Sequence, residues 1–358
     1  MTHGPLDSSY AHARQGLTPK ASELTLGIEV TRRCNLRCPH CFTASGADIS
    51  GDPSTEQLLQ LLTELAQTGV RSLAFTGGEP LLRQDVPQLV RHAHQAGVLD
   101  LGLVTNGYHA TAARVQQLRD AGLRTVQVSI DGVDAIDHAA VRACGPGDFY
   151  RALRAVRLFV DAGLNVYVAT IVCPRNVQRV GEMALFCEAL GVRGLRYCTF
   201  VPTGRAVDTQ VAQAFTVQPE KLDAFLDLIR RLNRQPNAQL RISVDHSLGP
   251  WLPGGAFRCE SGRRVCYIAV TGDLYPCPAL IFDRLRVGNV YRSAVSELLE
   301  SPNLSAVHCL PRKQIEGLCA TCSNEHCTGG CRGLAYALTG RLHGPVPYCN
   351  FRRTELSE

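Results

Sequence analysis

The sequence predicts an α/β protein: a parallel sheet with helical crossovers, followed by a small cysteine-rich unit. Three observations carry this. Six β-rich runs alternate with helical patterns between residue 24 and about residue 243, the order that builds parallel sheets. Most of those helical patterns close on a glycine, which readily takes the left-handed position after a helix. After Asp245 the composition changes, where Pro250, Pro253, Gly254 and Gly255 form a breaker-rich link into a tail dense in cysteine. A chain of 358 residues is long enough for about two domains. The expected division is an N-terminal segment over 1–23, a sheet domain over 24–245 and a tail domain over 246–358. Six units are fewer than the eight of a closed (β/α)₈ barrel, so the sheet is an open partial barrel or doubly wound. Periodicity alone leaves both open.

The elements follow in order. Leu24–Val30 reads as the first strand. Ser54-Thr55-Glu56-Gln57 is a capping box, and Leu58, Leu59, Leu61, Leu62 and Leu65 continue it at helical spacing to Gly69. Ser72–Phe75 is the next strand. The cycle repeats through a helix ending at Gly97, strand Leu101–Thr105, a helix ending at Gly122 and strand Thr125–Ile130. It continues with a helix ending at Gly163, strand Asn165–Val172, a helix ending at Gly191 and strand Gly194–Phe200. A helix over Gln218–Leu232 and a strand near Leu240–Val244 complete the region.

Hydrophobic residues at 45% and charged residues at 19% supply a sizeable core and exclude a disordered chain. The apolar runs are short and broken by charges, so none suits a bilayer span. Met1 to Glu23 is polar without an apolar stretch, so no secretory signal is visible and a cytoplasmic location is expected. A net charge of +5 without a Lys/Arg stripe argues against nucleic acid as a partner. No membrane partner is expected either.

The sixteen cysteines are the departure from an ordinary composition. In a reducing compartment such thiols serve metals or catalysis rather than cross-links. Cys34, Cys38 and Cys41 cluster early, nine lie from Cys259 to Cys349, and Cys144, Cys173, Cys187 and Cys198 are scattered between. Three thiolates within the eight residues from Cys34 to Cys41 can bind three corners of an iron–sulfur cube and leave the fourth iron open to a ligand. A zinc site completed by His40 or a distant residue is the alternative.

The C-x₃-C-x₂-C spacing after strand one, followed by Thr76-Gly77-Gly78-Glu79-Pro80 after strand two, resembles the radical S-adenosylmethionine (SAM) superfamily. The resemblance implies a partial (β/α)₆ TIM-like barrel whose three cysteines hold a [4Fe-4S] cluster. In that family SAM chelates the unique iron, and reduction cleaves it to methionine and a 5′-deoxyadenosyl radical. The residue before the third cysteine is usually aromatic and apolar; here it is His40, which is planar and expected to pack in the same way. By resemblance, Gly77, Gly78 and Glu79 meet the methionine amino group, while Asn106 and Ser129 contact the SAM ribose or carboxylate. Arg142 matches the arginine that pairs with that carboxylate in peptide-modifying members. Cys173 and Cys198, near the ends of strands five and six, are candidate hydrogen donors to a substrate radical; the plainer reading is a small buried hydrophobe.

In the tail, Cys259 is followed at spacing by Gly272 and Cys277, then by Cys319-x₂-Cys322-x₄-Cys327-x₃-Cys331 and Cys349. This resembles the SPASM extension of radical SAM enzymes, a small Cys-rich C-terminal domain, although that pattern usually has five residues where Cys322 and Cys327 enclose four. The resemblance implies two auxiliary [4Fe-4S] clusters, three in all. Cys259, Cys277 and Cys331 would serve the first, with Cys266 or Cys309 as a fourth ligand, or an open position. Cys319, Cys322, Cys327 and Cys349 would serve the second. A zinc ribbon fits Cys319, Cys322, Cys327 and Cys331 taken alone.

The function implied is a radical SAM/SPASM oxidoreductase or epimerase that removes hydrogen from an unactivated C–H bond of a peptide or natural-product precursor. The outcome would be oxidation, cross-linking or epimerisation, with an external electron donor such as flavodoxin or ferredoxin. About 23 residues precede strand one, too few for a leader-binding domain, so a separate carrier or a small substrate is expected. Alternatives are a sugar or aminocyclitol epimerase or dehydrogenase in antibiotic biosynthesis, and a non-catalytic Fe–S electron carrier or zinc-binding adaptor.

Overall fold

The computed structural model of the chain describes residues 20–47, 51–235, 240–245, 259–324 and 327–346. Seven parallel strands run in chain order: β1 Thr25–Thr31, β2 Ser72–Gly77, β3 Asp100–Thr105, β4 Thr125–Ser129, β5 Asn165–Ile171, β6 Gly194–Cys198 and β7 Arg241–Val244. Among themselves these seven pair only between sequence neighbours, giving the order β1-β2-β3-β4-β5-β6-β7. A doubly wound sheet reverses direction at a switch point. This one never does, so the alternative left open by periodicity resolves to the partial barrel.

The crossovers are the helices that the sequence predicts, with two differences: one expected helix is split, and a short helix, Thr209–Phe215, is added. α1 Thr55–Gln67 starts on the expected capping box, Gln57 N–H donating to Ser54 Oγ and Ser54 N–H to Gln57 Oε1. α2 Val86–Gln95 and α3 Ala112–Asp120 follow. The single helix expected between β4 and β5 is two: α4 Ala135–Arg142 and α5 Pro146–Asp161. Ala143 turns left-handed at φ 50°, and Pro146 then restarts the chain at the first turn of α5, where its missing N–H costs nothing. The break delivers Arg142 to the strand-end rim. α6 Val180–Ala189, α7 Thr209–Phe215 and α8 Pro219–Asn233 complete the layer.

Strand alternation sorts the side chains. On β1, Leu26, Ile28 and Val30 enter the apolar core with Leu58, Leu61, Leu62 and Leu65 of α1. Each buried leucine contributes about 1.5–3 kcal/mol. Gly27, Glu29 and Thr31 take the opposite face, toward the barrel interior. The tail joins the same sheet: β8 Val265–Ile268 pairs in parallel with β1, and β9 Asp273–Tyr275 and β10 Gly288–Asn289 extend it antiparallel. Glu29 Oε2 accepts from Val270 N–H at 2.9 Å, closing contact across 241 positions. The short helices α9 Val295–Leu299 and α10 Pro302–Ser305, then α11 Arg332–Thr339, complete the tail. Pro250, Pro253, Gly254, Gly255 and Cys349 lie outside the described residues. No helix among the described residues is long and apolar enough to cross a membrane.

Candidate active site at the strand-end rim

Cys34, Cys38 and Cys41 lie in the loop that leaves β1, where side chains at the C-terminal ends of parallel strands gather. All three are free thiols. The loop is held from within by Cys34 N–H to Gly46 O at 3.0 Å and Cys41 N–H to Cys38 O at 3.2 Å. A second clamp comes from the turn after β6. Arg205 donates through Nε to Cys38 O at 2.9 Å and through Nη2 to Ser45 O at 2.6 Å, and its backbone N–H bonds Cys41 O at 3.0 Å. Gly204 permits this approach: at φ +59°, a Cβ there would stand 2.2 Å from Phe42 O.

The sulfurs meet donors. Leu36 N–H and the Asn106 amide approach Cys34 Sγ at 3.4 and 3.8 Å, and Arg142 Nη1 approaches Cys38 Sγ at 3.7 Å. Burial pushes the Cys34 thiol up to about 12, with Glu79, Cys38 and Cys41 adding to it. Such thiols become thiolates when a metal supplies the compensating charge. Among the described residues no three His, Cys, Asp or Glu side chains converge tightly enough to share one metal ion. A cube, whose thiolates sit on separate irons, needs no such convergence. Soft donors, N–H groups on sulfur and a preformed loop fit an iron–sulfur cluster.

Two buried carboxylates organise the rim. Glu79 is 0% exposed; it accepts Leu81 N–H at 3.0 Å, Thr105 Oγ1–H at 2.7 Å and Asn106 N–H at 2.7 Å. Burial raises its pKa beyond what these donors offset, yet every partner donates, which fits the acceptor-only carboxylate. Through it, β2 fixes the end of β3 and aims the Asn106 amide at Cys34 and at Asn35 Oδ1, 3.0 Å away. Gly77 and Gly78 serve close packing within the chain: a Cβ on either would lie 2.2 Å from the backbone oxygen of Thr31 or Arg33.

Asp131 is the second. Its Oδ2 accepts from Arg142 Nε at 2.7 Å and its Oδ1 from Ile171 N–H at 2.7 Å. Burial alone would raise its pKa, but Arg142, His40 and the Ile171 N–H outweigh that and hold it below the usual range. Asp131 thereby fixes the guanidinium beside Cys38. Ser129, the last residue of β4, is half-buried on the same rim.

His40 packs its ring on Phe215, centroids 5.1 Å apart, as expected of the aromatic residue it replaces. Cys198 ends β6 on the interior face, its alternation neighbour Tyr197 lying in the core. Burial and Asp245 raise the Cys198 thiol. Cys173, 2% exposed, sits in a satellite apolar cluster with Val141, Phe200, Ala206 and Phe215. Cys187 is fully buried in α6.

In the tail, Cys259, Cys277 and Cys331 come together. Burial and the neighbouring Cys331 push Cys259 up to about 11, and burial with both partners raises Cys277. Cys331 Sγ accepts from Leu334 N–H and Cys327 Sγ from Gly329 N–H at 3.4 and 3.3 Å. Cys319 lies in the single turn Gly317–Thr321, and Cys322 N–H bonds back to it. Cys266 does not join them. It is wholly buried on β8 opposite Leu26, within the main apolar core, and burial alone pushes it up to about 12.

The sequence alone does not point to Asp131, Thr105 or Arg205 as site residues. Asp131 stands two residues beyond the end of β4, but its pairing with Arg142 exists only in three dimensions. Arg205 acts on a loop more than 160 positions earlier, with no local signal. Arg205→Gln is expected to lower iron incorporation at the first site about 10–100-fold, as loss of supporting groups around metal ligands does; iron analysis after reconstitution at limiting iron checks it.

His138 gives a pH signature. Its Nδ1 accepts Asp131 N–H at 3.2 Å, and burial, aided by Arg142, lowers its pKa from 6.5 to about 4. The folded form therefore binds fewer protons than the unfolded chain between these values. Its contribution is complete above pH 6.5 and is lost as pH falls toward 4, by about 3 kcal/mol. Urea midpoints of the apoprotein should fall across this window and fall less in His138→Gln.

Residues 28–187 match the Radical SAM superfamily and residues 259–327 the iron-sulfur cluster-binding domain SPASM. The chain is 32% identical over 334 residues to mycofactocin maturase MftC of Mycobacterium tuberculosis, covering 91% of this chain and 82% of that protein. It is 29% identical over 347 residues to an AdoMet-dependent heme synthase of Methanosarcina barkeri, covering 90% and 95%. Its fold resembles Streptococcus suis SuiB bound to precursor peptide SuiA, with a TM-score of 0.73, 16% identity, and 92% and 75% coverage.

Proposed function

The chain belongs to the radical SAM superfamily and carries a C-terminal SPASM domain, and on that footing we propose that it modifies a peptide at an unactivated C–H bond. When bound, the first cluster and SAM supply a 5′-deoxyadenosyl radical that takes a hydrogen atom from the substrate. Cys34, Cys38 and Cys41 would hold that cluster. The observation that carries this reading is the pairing of Asn106 with Cys34 and of Arg142 with Cys38 on one rim. An amide and a guanidinium beside the open corner suit the polar groups of an amino-acid cofactor, and a guanidinium binds a carboxylate bidentately. Glu79 and Asp131 keep both in place without entering the chemistry. In the tail, Cys259, Cys277 and Cys331 would hold one auxiliary cluster and Cys319, Cys322 and Cys327, with Cys349, a second.

A peptide suits the barrel better than a polyanion. Arg196, on the interior face of β6, is engaged by Asp245 at 2.7 Å and reaches Gln127 Oε1 at 3.5 Å. With Arg196 so engaged, the interior face of β6 offers hydrogen-bonding partners to amides rather than a free cation to a haem-like dicarboxylate. The likeness to a maturase, and to a fold captured with its precursor peptide, supports the same choice.

Anaerobic reconstitution with iron, sulfide, dithionite and SAM tests the reading, using the short peptide encoded nearest the gene. 5′-Deoxyadenosine and a peptide mass change are expected. No 5′-deoxyadenosine above background removes the enzymatic reading; 5′-deoxyadenosine with an unchanged peptide removes the peptide. Turnover in D₂O then separates outcomes: deuterium incorporated by the wild type and lost in Cys198→Ala marks hydrogen return by that thiol.

A further inference from the structure

Arg332 follows Cys331 directly, at the start of α11, and is 1% exposed. Its side-chain hydrogens go to carbonyls: Nη1 to Leu342 O at 2.9 Å and Gly344 O at 3.0 Å, Nε to Gly330 O at 3.3 Å, and Nη2 to Gly329 O. Among the described residues no carboxylate pairs with it. Carbonyl oxygens satisfy the hydrogens but carry no net charge, so a full positive charge is left in the interior, where an uncompensated ion is strongly disfavoured. A guanidinium cannot escape by losing its proton. Compensation must come from its surroundings.

The groups that favour its charged form are thiols: Cys319, Cys259, Cys331 and Cys327. Two belong to each auxiliary set, and the Gly329 and Gly330 carbonyls that hold the guanidinium lie between Cys327 of one set and Cys331 of the other, whose sulfurs accept Gly329 N–H and Leu334 N–H. Its own backbone N–H also faces the Cys259 sulfur. Protonated thiols carry no charge that could offset the guanidinium. Metal loading turns them into thiolates and supplies the missing negative charge.

We propose that Arg332 is the buried countercharge shared by the two auxiliary thiolate sets, holding them in their metal-loaded form and raising the reduction potential of the centres they bind. This rests on the reading that both sets carry iron–sulfur centres. Net charge and hydrogen bonding around the sulfurs set such potentials, and a positive charge favours the more negative, reduced state.

The test uses the full chain with Cys34→Ala, Cys38→Ala and Cys41→Ala combined, reconstituted anaerobically, so that only auxiliary iron is counted. No iron in this background would refute the cluster reading of the tail, and the proposal with it. With iron present, Arg332→Gln is expected to lower the equilibrium constant for reduction about tenfold, about 59 mV for one electron, with Arg332→Lys within about twofold of the parent. Electron paramagnetic resonance during a redox titration reads the shift. Loss of auxiliary iron in Arg332→Gln with retention in Arg332→Lys also supports the countercharge. Unchanged iron and potential in both variants overturn it. Equal impairment in both overturns it too, because the carbonyl clamp rather than the charge would then be at work. Should circular dichroism show Arg332→Gln unfolded, Arg332→Lys decides: a parental potential supports the proposal, and full iron with a displaced potential contradicts it.

Discussion

Replacing any one of Cys34, Cys38 or Cys41 with alanine will cut 5′-deoxyadenosine formation by more than about 100-fold, beyond the 10–100-fold typical of supporting groups around a metal. The fold should survive. The loop's shape depends on backbone bonds that alanine keeps, Cys34 N–H to Gly46 O and Cys41 N–H to Cys38 O, and on the Arg205 clamp to Cys38 O and Ser45 O. Cys34 and Cys41 are only partly buried, so truncation leaves little cavity there. Iron should fall by one cluster per chain, with the far-ultraviolet circular dichroism spectrum unchanged. Full iron content together with lost activity would place the defect elsewhere than in cluster binding.

The largest stability effect is expected at Asp131. Asp131→Asn keeps an oxygen for Ile171 N–H but removes the only carboxylate bonded to Arg142 among the described residues. The guanidinium, 11% exposed, would be left as an unpaired buried charge, at a cost of about 3–5 kcal/mol. Arg142 would also lose the contact that holds it beside Cys38, so activity should fall with stability. The double variant Asp131→Asn/Arg142→Met separates the two effects. Removing both charges takes away the unpaired ion, so the double variant should unfold at a higher urea concentration than Asp131→Asn while remaining inactive. Identical midpoints in the single and double variants would show that the unpaired guanidinium is not what destabilises Asp131→Asn.

Much of this was legible in the chain because it is local chemistry. Ser54 and Gln57 form their capping box wherever the helix goes, and the glycines after α1, α2, α3, α5 and α6 take positive φ as helix-closing residues do. The expected strand ends at Val30, Phe75 and Thr105 fall within two residues of the observed Thr31, Gly77 and Thr105, because β-rich runs and turn residues abut there. The thiol spacing was readable for the same reason, since Cys34 to Cys41 span a single loop. Strand order was not readable, because pairing β8 with β1 rather than with β7 is decided by packing between distant segments. Arg142 was visible as a candidate, but the helix break at Ala143 that places it, and the carboxylate that fixes it, belong to tertiary structure. Cys266 illustrates the converse. Its position in a cysteine-rich tail suggested a ligand, but β8 pairs it with Leu26 and buries it in the main core.

Electron paramagnetic resonance of the dithionite-reduced protein, recorded with and without SAM, tests the open iron position most directly. SAM should change part of the wild-type signal, because one iron held by Cys34, Cys38 and Cys41 has a place for it. The same addition should leave the triple alanine variant unaltered. Identical wild-type spectra with and without SAM, at full iron content, would contradict an open iron in this loop and the radical chemistry built on it.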